Sequence, residues 1–277
     1  MTMLSINTNI GALNSSQSSY AANKSMEASM ERLSSGKRIN SGSDDAAGLF
    51  ITKRMAGEIQ GLNQAVRNAA DAQAYLATTE GALEEVHTIL LRMRELAVQG
   101  SNGTYTAQDR VALAAEVSDL QTEINRIATD TTFNNIGVLS GAASTGITFQ
   151  IGADNSQTMT VSIPRITISA AGINISTAAQ LTTAAGAMAY ITTLDNAISL
   201  ISTQRGSYAA AINRLDHAIS NMQNVASNLS MAKGRIEDAD FAAETSNLSR
   251  VQVLQQASMA MLAQANASKQ NILSLFQ

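Results

Sequence analysis

The side chains that could do acid–base or metal chemistry are few and scattered. His87 and His217 each stand alone, and neither begins a His-Glu-x-x-His pattern, so the paired imidazoles of a zinc hydrolase are missing. Glu237, Asp238, Asp240 and Glu244 form an acidic cluster near the C-terminus. The cluster lacks the glycine and ligand spacing of a calcium loop, so a solvated helix face is expected there. The 277 residues include no cysteine, which removes disulfides and thiolate chemistry. The expectation is therefore a chain without catalytic, cofactor-binding or metal-binding residues, and not an enzyme.

Charge narrows the partners further. The formal net charge is −4, whereas nucleic-acid binding usually needs a basic footprint. The small basic groups Lys37–Arg38, Lys53–Arg54 and Arg92/Arg94 read as solvated faces or salt-bridge partners. No run approaches the ~18 apolar residues that span a bilayer, so membrane insertion is not expected. The opening stretch, Met1 to Ser19, has neither a basic segment nor a continuous apolar one, so a cleaved signal peptide is not expected. Charged residues make up 14% of the chain, against roughly a quarter in ordinary domains. A surface so poor in charge repels its own copies little, which favours self-assembly.

Long helices must position whatever function exists. From Ser43 to about Gln99, apolar residues recur at Met55, Ile59, Leu62, Val66, Ala69, Leu76, Leu83, Leu90 and Met93. The three-and-four spacing makes one stripe, with polar slots at Gln73, Glu80 and His87. Ser43 or Asp44 can cap this helix, with Asp45 near its start. At ~1.5 Å per residue it would be about 80 Å long, which points to an elongated bundle. Gly100 to Tyr105 breaks it, and Thr106-Ala-Gln-Asp109 has capping-box spacing for a second helix that turns back along the first. From about Ala184 the stripe returns at Met188, Ile191, Leu194, Ile198, Ile201, Tyr208, Ile212, Leu215, Ile219, Met222, Ala226 and Leu229.

Between these helices, residues 131–183 are rich in Gly, Ser, Thr and Asn, and Asp154 and Arg165 are the sole charges. Ile147–Ile151 and Met159–Ile163 alternate apolar and polar residues around a loop, so a β-hairpin is expected at about 147–163. Asn102-Gly-Thr104 and Asn174-Ile-Ser176 match a glycosylation pattern short enough to arise by chance.

The two ends have weaker stripes. Ile6, Ile10 and Leu13 begin one, resumed at Met26, Met30 and Leu33. At the other end Val251, Leu254, Met261, Ile272 and Leu275 alternate with Ser258, Ala265 and Ser268. Small residues let helices approach closely but bury little area each. Against an ordering cost of ~1–2 kcal/mol per residue, these ends should be marginal alone and order on association.

Several motifs now carry a resemblance. Ile6-Asn-Thr-Asn9, Arg32-Leu-Ser-Ser-Gly36, Arg38-Ile-Asn-Ser41 and Asp44-Asp-Ala-Ala-Gly48 stand in the order and spacing of the flagellin N-terminal region. Arg94-Glu-Leu-Ala-Val-Gln99 resembles its mid-helix motif. Arg235-Ile-Glu-Asp-Ala-Asp-Phe241, Gln255-Gln256, Leu262-Ala-Gln-Ala-Asn266 and Leu273-Ser-Leu-Phe276 resemble the flagellin C-terminus. The matches at Arg94–Gln99 and Arg235–Phe241 favour a short-form flagellin over the alternative, a hook–filament junction (hook-associated) protein, which shares the terminal plan.

The resemblance implies a mainly α fold: an elongated antiparallel helical bundle, a small hairpin, and paired N- and C-terminal helices. Residues 1–43 with 236–277 would form the terminal coiled-coil domain, and 44–235 the bundle. It implies an open-ended homopolymer, the extracellular bacterial flagellar filament, with Ile6, Ile10, Leu13, Val251, Leu254, Met261, Ile272 and Leu275 in polymerisation and core packing. Gly36, Gly42 and Gly48 would let the link between domains flex. Export would use the flagellar type III apparatus and an export chaperone, without a cleaved signal peptide, and the filament cap and hook-associated proteins would be partners. Arg92, Leu96 and Glu116 match the patch on which a vertebrate toll-like receptor docks.

Overall fold

The computed structural model describes residues 8–141, 146–169, 172–175 and 181–274, without the side chains of 269–274. Helices dominate, as the long apolar stripes demand. They are α1 (Ile10–Ser35), α2 (Ala46–Ser101), α3 (Ala107–Asp130), α4 (Ala184–Glu237) and α5 (Phe241–Ser274). Two short antiparallel hairpins lie between α3 and α4. One joins β1 (Thr132–Phe133) to β2 (Ile136–Gly137), and the other joins β3 (Ile147–Gln150) to β4 (Thr158–Val161). The second is the expected hairpin, in register Ile147↔Val161 and Phe149↔Met159. The first was not anticipated. Its turn holds Asn134 at φ 48° and Asn135 at φ 63°, which asparagine tolerates better than most residues.

The chain divides into two units, one of Met1–Ile59 with Ser227–Gln277 and one of Gln60–Ala226. The division falls within α2 and α4.

In the second unit α2, α3 and α4 share one core. Leu76, Leu83, Val86, Leu90 and Met93 of α2 are fully buried, with Val117 and Ile124 of α3 and Leu194, Ile201, Tyr208 and Leu215 of α4. Cross-helix bonds fix the direction. Gln73 donates to Asp216 at 2.6 Å, Arg205 meets Glu80 at 2.7 Å, and Arg94 meets Asp195 at 2.6 Å. Rising numbers on α2 meet falling numbers on α4, so the two run antiparallel. The polar slots of the α2 stripe at Gln73 and Glu80 are thus filled by partners rather than by solvent alone. Met188 departs from the expected α4 stripe: it is 61% exposed, while Ala187 and Tyr190 beside it are buried. Buried Gln121 donates to the Tyr190 hydroxyl at 2.8 Å and also to the Ile175 carbonyl, which closes the core beneath the loops.

The helix ends follow local chemistry. Thr106 and Asp109 form the full capping box at the start of α3. At α2 the cap is Asp45, whose carboxylate accepts from the Gly48 amide at 2.9 Å. Asp44 instead accepts from the Asn40 and Ser41 amides at 3.1 and 2.9 Å, and those bonds hold its carboxyl below the ordinary carboxylate value.

Candidate assembly surface

In the first unit α1 and α5 pair antiparallel through polar and small side chains. Asn9 donates to the Ala265 carbonyl at 3.1 Å, Gln255 to Asn23 at 2.5 Å, and Asn247 to Ser29 at 3.2 Å. The Ser19 hydroxyl lies 3.7 Å from the Met259 sulfur, and Arg32 lies 3.9 Å from Glu244. The buried residues of α1 are Ser19, Ala22 and Ser29. Small residues at the contact let the backbones approach, and the hydrogen bonds satisfy several of the polar groups so enclosed, though not Oε1 of Glu244.

Met26 and Leu33 of α1 and Leu248 and Leu262 of α5 are half-buried beside them, but many of the large apolar residues point elsewhere. Of the terminal stripes, Val251 is buried at 6% exposure, whereas Ile10, Leu13, Leu254 and Met261 are 53–64% exposed. Tyr20, Met30, Phe241, Val253 and Met259 are exposed as well. Met30 stands on the N-terminal stripe, and the other four are large apolar residues off the periodic stripes. Ile6 and Leu275 lie outside the described residues, as does the side chain of Ile272.

The segment after α1 is tied to the α4–α5 junction. Gly36 ends α1 in the left-handed conformation at φ 71°, and its carbonyl accepts from the Ala239 amide at 3.0 Å. The Arg38 amide donates to the Glu237 carbonyl at 2.6 Å, and the Arg38 guanidinium to the Ile236 carbonyl at 2.8 Å. Gly42 is exposed. Gly48 is buried in the first turn of α2, where a Cβ would come 2.7 Å from the Ile39 Cδ1 atom.

The acidic cluster is only in part the expected solvated face, since Asp238 and Asp240 are exposed and Glu244 is half-buried. Glu237 is buried and takes Lys37 at 2.7 Å and Lys233 at 3.3 Å. Asp240 caps α5 by accepting from Ala242 and Ala243. Among the described residues no group of three or more acids and histidines is placed to hold a metal ion. None of the described helices is long and apolar enough to cross a membrane.

On the second unit the Arg92 guanidinium bridges Glu95 at 2.6 Å and Glu116 of α3 at 2.9 Å, all exposed. Leu96, four residues on, is 1% exposed and belongs to the core. The three residues are therefore neighbours but do not share one accessible surface.

Comparison with known proteins now fits this geometry. Residues 6–145 match the model of the bacterial flagellin N-terminal helical region, and residues 191–276 match the C-terminal one. A flagellin of Halalkalibacterium halodurans is 41% identical, over 98% of this chain and 99% of its own. A flagellin of Bacillus subtilis is 39% identical over 98% of this chain and 99% of its own. A putative flagellar hook-associated protein of Vibrio parahaemolyticus shares the fold, with TM-score 0.60, 17% identity, and coverage of 70% of this chain and 100% of that one. Sequence thus separates the two readings that the fold alone leaves together, and the chain belongs to the bacterial flagellins, structural subunits of the extracellular flagellar filament.

Proposed function

We propose that the outward apolar faces of α1 and α5 are the surface through which copies of this chain stack into the filament. The observation that carries this reading is the inversion of the terminal pair, which buries Ser19, Ala22 and Ser29 and exposes Ile10, Leu13, Leu254 and Met261. Burying a large apolar side chain contributes roughly 1.5–3 kcal/mol, so four such residues against a neighbour would stabilise a subunit contact substantially. The contacts would be heterologous, so assembly stays open-ended.

On this reading Ile6, Ile272 and Leu275 take part in polymerisation as well, and residues 1–43 with 236–277 act as the assembly domain beside 44–235. Gly36 and Gly42 give the link its freedom, with Gly48 as its packed end. The chain is a structural polymer subunit and not an enzyme. Export proceeds through the flagellar type III apparatus with a chaperone and without signal cleavage, and cap and hook-associated proteins meet the filament ends. A vertebrate toll-like receptor would contact Arg92 and Glu116 directly, with Leu96 acting from beneath.

Seeded polymerisation of the full chain, followed by electron microscopy, tests the surface. Leu13→Asp and Met261→Asp should abolish elongation while leaving helical content unchanged by circular dichroism. Filaments of normal length from both variants would sink the proposal.

A further inference from the structure

The turn between α2 and α3 contains the one Asn-Gly dipeptide of the sequence, Asn102-Gly103. Both residues are exposed, and Gly103 has nothing within 4 Å of where a Cβ would stand. The Asn102 side-chain oxygen accepts from the Thr104 amide at 3.3 Å. That bond holds the side-chain carbonyl across the intervening Gly103 amide and polarises its carbon. The main-chain oxygen of Asn102 is engaged too. It accepts from the Arg110 guanidinium at 2.9 Å and from the Tyr105 amide at 3.4 Å. Arg110 is itself anchored by donating through Nε to the Gly100 carbonyl at 2.8 Å.

The geometry points to Asn102 as a site of spontaneous modification that loses its amide through Gly103 and opens toward isoaspartate because of Arg110. In the first step the Gly103 nitrogen gives up its proton and bonds to Cγ of Asn102. The Cγ–Nδ2 bond breaks, the amide nitrogen leaves as ammonia, and a five-membered succinimide remains. The Thr104 N–H stabilises the oxygen on which charge develops. In the second step water adds to the main-chain carbonyl carbon, whose oxygen faces Arg110. The bond from that carbon to nitrogen breaks, and the chain now runs through Cγ. The net change is asparagine plus water to isoaspartate plus ammonia. The new carboxylate forms where the neutral carbonyl stood, so the contact with Arg110 becomes a charge-assisted pair. Arg110 does not react; it is a positioning residue that sets which side of the ring opens.

The test holds the purified full chain at mildly alkaline pH and maps its peptides by mass spectrometry, with isoaspartate measured by enzymatic methylation. Asn102 is expected to lose its amide before the exposed Asn155 of the β3–β4 loop. Gly103→Ala should slow the loss several-fold; the space is open and the Gly103 φ is not left-handed, so the variant should fold. Arg110→Gln should leave the loss in place and lower the isoaspartate share. A urea-denatured sample, where Arg110 is no longer held over the turn, should show the same lowered share without a substitution. Prior reaction at Asn155, or an unchanged rate in Gly103→Ala, would overturn the site. An unchanged isoaspartate share in both the Arg110 variant and the denatured chain would overturn the role of Arg110.

Discussion

The ammonium of Lys37 stands 2.7 Å from a carboxylate oxygen of buried Glu237, joining the segment after α1 to the end of α4. Lys37 also bridges to Asp238 in β geometry, so side chain and backbone close the same contact. Lys233 shares Glu237 at 3.3 Å, so removing Lys37 does not strand the acid. Lys37→Met should therefore destabilise by only about 1 kcal/mol. Glu237→Ala removes the acceptor of both lysines and should destabilise by roughly 2–3 kcal/mol. Urea denaturation of the two full-length variants checks the order.

Acid should loosen the same contact. The hydrogen bond from Lys37, followed by that from Lys233, holds the Glu237 carboxyl below its ordinary value of 4.5. A depressed folded value means that the native state binds the proton less readily than the unfolded one. The stabilisation is present above the unfolded value and is lost as pH falls through the folded one. Stability measured from neutral pH downward should hold to about pH 4.5 and then decline, and Glu237→Gln should make that decline shallower. An equally steep decline in the variant would assign the effect to other acids.

At the alkaline end tyrosines act. Burial pushes the Tyr190 hydroxyl up to about 12, partly offset by the hydrogen bond from Gln121. Tyr75 and Tyr208 are raised by burial as well. A raised value means that the unfolded state ionises first, so stability is present below the unfolded value of 10.0 and is lost as pH rises through the folded one. Tyrosinate absorbance should appear in two phases, with the buried hydroxyls ionising together with loss of helix. A single phase at the ordinary tyrosine value with helix intact would contradict this placement.

Core and stripe separate in the second unit. Leu83 and Leu90 are fully buried, so truncating either to Ala should destabilise by about 3–5 kcal/mol. Met188 shares the helical period yet is 61% exposed, so Met188→Ala should change stability by no more than ~0.5 kcal/mol. Thermal unfolding of the three variants distinguishes the classes.

Much of this molecule was legible in the sequence because its signals are local and repetitive. A three-and-four period over fifty positions specifies α2 and α4, whatever covers them. Thr106 with Asp109 specifies the start of α3, since both partners lie within one turn. Alternation specifies β3 and β4. The motifs at the two ends carried the family. Tertiary structure alone decided the rest. A period shows that a helix has an apolar face but not what lies against it, so the terminal stripe could not reveal that Ile10 and Leu13 turn outward while Ser19 and Ala22 turn in. The partners of Glu237 come from α4 itself and from the segment after α1, a distant stretch of chain that an acidic cluster read along the chain cannot name. Leu96 follows Arg92 by one helical turn, yet one is core and the other solvent, because α2 is enclosed by α3 and α4 on one side only and that side is chosen by packing.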